Sequence, residues 1–155
     1  MNRTSYFFFY GTLGASFAGT AARRAHSRLR PRGRARVRGR LWAIPDALGW
    51  YPALVAGKGW VEGELAVAAA FSVRDLAMLD HYEDFYPRRR AVSLYWRESA
   101  VARDGWRRRR PVQLYRYVGR VPKGALPIDG GDFADWLRQT GNRPYQAASR
   151  VPMTG

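Results

Sequence analysis

The sequence predicts an α+β domain, and three observations carry that reading. There are several short strand-like stretches, one strongly marked amphipathic helix, and a length of 155 residues with no linker or repeat to divide it. A chain of this size forms one domain and buries ~70% of the surface its unfolded form exposes, enough for a core and an internal cavity. Apolar residues make up 46% of it, so the composition is that of a folding chain.

The elements follow in order. Ser5 to Tyr10 is aromatic on both faces, which suits a central strand. Gly11-Thr12-Leu13-Gly14 breaks it into a loop, and Ala15 to His26 has room for a weak helix. Arginine then occupies every second position from Arg28 to Arg40. Alternate side chains of a strand point to opposite faces, so Gly33 to Leu41 reads as a strand with Ala35, Val37 and Leu41 inward and Arg34, Arg36, Arg38 and Arg40 in water. Pro31 marks its approach, and Ile44-Pro45-Asp46 and Tyr51-Pro52-Ala53 read as turns, because proline removes a ladder donor. Gly59 to Val67 alternates again, with Val61, Gly63, Leu65 and Val67 on one face. Ala91 to Arg97 and Pro111 to Val118 are further strands. The polar segment between them, Glu98 to Arg110, turns at Asp104-Gly105. Asp132 to Gln139 reads as a short helix. The domain is expected to span residues 1–140, with 141–155 as a C-terminal tail.

The best-specified element is a helix from Val73 to about Glu83. Ser72 is placed to cap it, with Asp75 as its capping-box partner and Phe71 and Leu76 as a hydrophobic staple. At about 100° per residue, Glu83 falls between Leu76 and Leu79, in the middle of the apolar stripe. A carboxylate there is costly unless it is neutralised, paired or facing a wet cavity; alternatively the helix ends before it and Glu83 stands in water or pairs with Arg88. Asp80 lies about 60° round the helix and is the rival carboxylate; Asp84 points farther away.

Other chemistries lack their signatures. The chain has no cysteine, which removes disulfides, thiolate metal sites and cysteine nucleophiles, and fits a cytoplasmic location. Two histidines, His26 and His81, are too few for a typical zinc site. No Gly-x-Ser-x-Gly elbow, Gly-x-Gly-x-x-Gly or P-loop is present. No apolar stretch approaches the roughly 20 residues needed to span a bilayer, and no membrane partner is expected. The net charge is +15, and every basic residue except Lys58 and Lys123 is arginine. The arginine row of the first half lacks interleaved aromatics, and Arg107 to Arg110 suits a solvated hairpin loop, so no sequence-specific nucleic-acid site is expected. The loop Tyr10-Gly11-Thr12-Leu13, by contrast, follows a buried strand with a glycine able to take φ > 0. Its backbone N–H groups could converge on one carboxylate, although an ordinary strand-to-loop turn reads the same way.

That loop resembles the opening signature of the γ-glutamylcyclotransferase-like proteins, especially their AIG2-like branch. Gly39-Arg40-Leu41-Trp42, Tyr51-Pro52-Ala53-Leu54-Val55, Val61-x-Gly63-Glu64-Leu65, Leu79-Asp80-x-x-Glu83 and Tyr86-x-Arg88 continue the similarity in order. Gly131-Asp132-Phe133 resembles the closing Gly-Asp-Trp motif, with Phe133 in place of tryptophan. The resemblance implies a compact β-barrel of mixed strands with a few packed helices and a cavity for a γ-glutamyl group. It implies Glu83 as the catalytic residue, Tyr10, Gly11, Thr12, Leu13 and Tyr86 as substrate-binding residues, and neither metal nor cofactor. The partner it implies is a small-molecule γ-glutamyl amide, converted to 5-oxoproline and a free amine.

The chemistry is consistent with that stock of residues. A γ-glutamyl amide carries its own nucleophile, the α-amine, which closes a five-membered ring on the γ-carbonyl. Holding the near-attack geometry is worth up to ~7–11 kcal/mol, and one carboxyl can perform both proton transfers if burial lifts its pKa toward neutrality. Two alternatives stand beside this reading: a non-catalytic binder of a γ-glutamyl-like metabolite, and an arginine-rich nucleic-acid-binding protein.

Overall fold

The computed structural model describes residues 5–11, 28–68, 71–82 and 95–145. Six strands and two helices lie within them: β1 (Ser5–Phe9), β2 (Leu29–Asp46), β3 (Gly49–Ala68), α1 (Val73–Tyr82), β4 (Tyr95–Asp104), β5 (Arg109–Tyr117), β6 (Leu126–Pro127) and α2 (Phe133–Thr140). The strands run β3-β1-β5-β4-β2-β6, and the β2–β3 pairing closes the first five into a mixed barrel. Among the described strands, β1 and β5 pair parallel and the other strand pairings are antiparallel. Closure removes most of the free edges that would otherwise invite association.

β1 is central, as its composition requires. It pairs with β3 on one edge and β5 on the other. Phe8 and Tyr10 enter the barrel core with Val37, Leu41, Leu54, Val61 and Leu114. Phe7 and Phe9 enter a second core with Leu29, Tyr95 and Tyr115, against which Phe71 and Leu76 pack. The helix beside this second core thus covers the outer face of a strand that is apolar on both sides.

β2 follows the alternation of its sequence: Ala35, Val37 and Leu41 are buried, while Arg34, Arg38 and Arg40 are exposed and Arg36 is half-buried. Both β2 and β3 run further than expected. Pro45 and Pro52 lie inside the ladder, opposite Trp50 and Ala43, rather than in turns. The reason is register. Trp50 turns its N–H and C=O away from β2, toward Arg143 and Tyr145. Pro45 opposite it, and Pro52 two residues on, therefore occupy positions whose missing N–H would point out of this ladder. The turn is instead Asp46-Ala47-Leu48-Gly49, where the Asp46 carboxylate accepts from the Leu48 N–H at 3.0 Å.

β4 also exceeds its expected length, running to Asp104. Its polar residues sit on the outer face or at the barrel rim, Ala102 is buried inside, and Glu98 pairs with Arg116 of β5. Asp104 organises the hairpin, accepting from the N–H groups of Trp106 and Arg108 at 2.9 Å each. Burial works against its charge, but those bonds and Arg110 hold its carboxyl below the usual range.

The cap of α1 is present, and Phe71 and Leu76 both pack against the second core. Asp75 accepts from the Ser72 N–H and hydroxyl, and Ser72 Oγ accepts from the Asp75 N–H at 3.1 Å. Arg28 adds an ion pair to Asp75 at 2.8 Å. α2 starts one residue later than expected because Asp132 is its N-cap, accepting from the Asp135 N–H, and Gly141 closes it in a left-handed conformation. Gly131 before it has φ +68°, and a Cβ there would lie 2.0 Å from the Trp60 carbonyl oxygen. That contact lets Phe133 plug the barrel core at 1% exposure. Residues 143–145 pack back on the β2–β3 hairpin through Trp50.

Candidate active site

The sequence-predicted site residues divide between described and undescribed segments. Tyr10 and Gly11 are described; Thr12, Leu13, Glu83, Asp84, Tyr86 and Arg88 lie outside the described residues, as do the expected helix from Ala15 to His26 and the start of the strand at Ala91.

Tyr10 follows the last residue of β1 and is buried. Its hydroxyl donates to the main-chain carbonyl of Tyr115 in β5. Gly11 does not take a left-handed φ, so the expected reason for its being glycine is corrected. Its small size matters for approach instead: a Cβ there would meet Pro52 Cγ at 3.3 Å. Pro52 is held in turn, because the Tyr95 hydroxyl donates to its carbonyl at 2.6 Å. The wall beside Gly11 is phenolic. Tyr95 meets Tyr117 edge-on at 5.7 Å, and Tyr51 meets Tyr145 edge-on at 5.9 Å. Burial, aided by Tyr117 and Asp46, pushes the Tyr51 phenol up to about 12, and burial also raises Tyr117. Both stay neutral donors at physiological pH.

The last turn of α1 is tied to the same place. Asp80 is 5% exposed and accepts from Tyr115 Oη at 2.6 Å and from Arg97 Nε at 2.8 Å. Arg97 also donates to Gln113 Oε1 at 3.1 Å, and Gln113 donates to Ser99 Oγ at 2.8 Å. Tyr115 is therefore a hinge point, with its carbonyl gripped by Tyr10 and its hydroxyl gripping Asp80. Through it the structure brings the exit of β1 and the C-terminal turn of α1 to one side of the barrel. Asp80 is committed to an arginine and a phenol, which makes it a poor general base and a good anchor.

Sequence reasoning missed Tyr51, Tyr95, Arg97, Tyr115 and Tyr117. The strands of Tyr95, Arg97, Tyr115 and Tyr117 were legible, while Tyr51 was read as part of a turn, and the alternation of Tyr115 and Tyr117 marked one face. Nothing local said which face meets α1. Among the described residues, no three histidine, aspartate or glutamate side chains group as metal ligands would.

Comparison with known proteins decides the family. Residues 7–136 match the family described as gamma-glutamyl cyclotransferase, AIG2-like. The chain belongs to that family. The match begins in β1 and ends in α2, so it takes in the closed barrel and both helices of the γ-glutamyl cyclotransferase fold. Solved structures agree on the fold. An AIG2-like protein from Mus musculus superposes with a TM-score of 0.55 at 21% identity, over 78% of this chain and 82% of its own. A gamma-glutamyl cyclotransferase gives 0.57 at 12% identity, over 97% and 95%. A uropathogenic E. coli-specific protein gives 0.59 at 18% identity, over 90% and 97%. No individually curated protein matches the sequence. Membership supports a γ-glutamyl cyclotransferase-like function and a small-molecule substrate of that class. Among the described residues, no helix is long and apolar enough to cross a membrane.

Proposed function

We propose that this protein releases 5-oxoproline and a free amine from a γ-glutamyl amide by intramolecular acyl transfer. Glu83, the residue after α1, acts as the general acid and base. The observation that carries the reading is the Tyr10–Tyr115–Asp80 connection, which fixes the end of α1 beside the exit of β1 in a chain of the cyclotransferase family. In the proposed reaction the Tyr10 to Leu13 loop holds the substrate's α-carboxylate, with Tyr86 completing the pocket. Glu83 takes a proton from the α-amine as its nitrogen attacks the γ-carbonyl. It returns that proton to the departing amine when the amide C–N bond breaks. The phenols of Tyr51 and Tyr117 remain protonated, and the Tyr95 hydroxyl holds Pro52 beside Gly11. No metal or cofactor is needed for this sequence of steps, and a cytoplasmic location suits it.

A mass-spectrometric screen of γ-glutamyl amides for 5-oxoproline tests the reaction, and Glu83→Gln tests the residue. Turnover should fall by at least ~10²-fold with substrate binding nearly intact. A wild type that binds γ-glutamyl amides and turns none over would support a non-catalytic binder instead. A Glu83→Gln variant with full 5-oxoproline release would remove Glu83 from the mechanism.

A further inference from the structure

The arginine row gains in three dimensions what it lacks in sequence. β3 sets Trp60 directly opposite Arg38, so an aromatic ring stands on the arginine face. The guanidinium of Arg38 lies 3.9 Å from the centre of that ring, Arg36 at 4.4 Å and Arg103 of β4 at 6.0 Å. Further along β2, Arg40 lies over Trp42 at 4.6 Å. The stripe has no aromatic interleaved in sequence, and the fold supplies aromatic partners from across the sheet and from the end of β2.

The cross-strand register is equally telling. Arg36 stands opposite Arg103, and Arg103 stands opposite Arg109. Like charges directly opposite each other on a sheet destabilise it, and here three occur in one row. Glu62 offsets one end of the row, opposite Arg36 on β3. Asp104, the acid nearest the other end, is already engaged by its own turn and by Arg110. A hollow of about 240 Å³ opens on this face between Arg34, Arg36, Glu62, Arg103, Asp104 and Arg107. At its border the hairpin tip holds Trp106, 86% exposed and followed by Arg107.

We propose that this outer face of β2, β3 and β4 binds single-stranded nucleic acid without sequence preference. Arginines leave the outer face of β2 at every second residue, roughly 6.6 Å apart along the backbone, a repeat suited to successive phosphates of an extended strand; Arg34, at one end, also pairs with Asp132 at 3.0 Å. Arg36 and Arg38 are held within 4.4 Å of the centre of the Trp60 ring, which keeps both charges on this face, and Trp106 adds an exposed stacking surface. The row from Arg34 to Arg40 is longer than one nucleotide, which favours a polymer over a mononucleotide. The net charge of +15 draws such a ligand in. Binding of this kind relieves the repulsion built into the Arg36–Arg103–Arg109 row.

The test is fluorescence anisotropy with a labelled oligothymidine and an oligomer of mixed sequence at low and moderate salt. Both should bind alike, with a steep salt dependence. The triple variant Arg36→Gln/Arg38→Gln/Arg103→Gln should bind roughly tenfold more weakly and lose about 2 from the slope of log K against log salt. Trp106→Ala, at an exposed tip, should weaken binding at least about fivefold with the melting temperature unchanged. A control removes the same charge elsewhere, from the exposed Arg74, Arg120 and Arg143. If that control loses as much affinity as the triple variant, binding reflects net charge and the proposal fails. It fails as well if the protein sediments with phosphatidylserine vesicles but ignores the oligonucleotides, since the face would then be a membrane surface.

Discussion

Replacing Asp80 by asparagine separates an anchor from an acid. The side chain is 5% exposed and takes two charge-assisted hydrogen bonds, from Tyr115 Oη at 2.6 Å and Arg97 Nε at 2.8 Å. Both donors address one oxygen, Oδ1, so the carbonyl oxygen of asparagine can keep both bonds, but each falls to neutral-acceptor strength and Arg97 loses its counter-charge. A hydrogen bond to a charged group contributes ~1.5–3 kcal/mol, and breaking a buried pair costs ~3–5 kcal/mol. The Arg97 side chain retains 23% exposure and its bond to Gln113, which lets water recover part of the loss. The expected destabilisation is therefore about 1–2 kcal/mol, or a fall in Tm of roughly 2–8 °C for a chain of this length. Thermal and urea unfolding at neutral pH read it directly. A double-mutant cycle with Arg97→Gln should return a coupling energy of about 1 kcal/mol or more. Activity per folded molecule should fall far less than in Glu83→Gln. An Asp80→Asn protein with unchanged Tm, or with zero coupling to Arg97, would refute the anchor. Abolished 5-oxoproline release in a fully stable Asp80→Asn variant would move the proton chemistry to Asp80.

Two further outcomes follow from the geometry. The Asp75 carboxyl is held below its ordinary value by the Ser72 N–H above all, then by the Ser72 hydroxyl and Arg28, against the opposing pull of burial. Its stabilising contribution is thus present above the unfolded pKa of about 3.9 and lost as pH falls through the folded value. Asp75→Asn should be less stable than wild type at pH 7 in urea melts, and the gap should close in acid; a gap that persists unchanged there would contradict the capping role. Gly63 faces β1 so closely that a Cβ would lie 2.3 Å from the Phe9 carbonyl oxygen and 2.7 Å from Phe8 Cζ. Gly63→Ala should cost about 3 kcal/mol or more and lower Tm accordingly, while Gly105→Ala, with open space around it, should leave Tm unchanged. Equal Tm values for the two variants would show that β1 yields at no cost.

The sequence by itself determined what is periodic or local. Alternation in the first arginine strand separates Ala35, Val37 and Leu41 from the solvated arginines because a strand repeats every two residues. The Ser72–Asp75 box and the Asp104-Gly105 turn were legible because each is closed within a few residues of chain. The aromatic run of β1 announced a strand covered on both faces. Gly131-Asp132-Phe133 was legible as a motif, while its reason, a glycine pressed against the Trp60 carbonyl, belongs to the tertiary structure.

What the tertiary structure alone decided depends on register between distant segments. Proline looked incompatible with pairing at Pro45 and Pro52, because the direction of a missing N–H is invisible until the ladder is aligned. Tyr115 gave no local sign of joining Tyr10 to Asp80, since its two bonds reach residues 105 and 35 positions away. Trp60 and Arg103 met the arginine row for the same reason: hydrogen bonding between strands, not proximity in sequence, sets side chains face to face. Short-range patterns state which face a residue occupies, and only barrel closure states what that face meets.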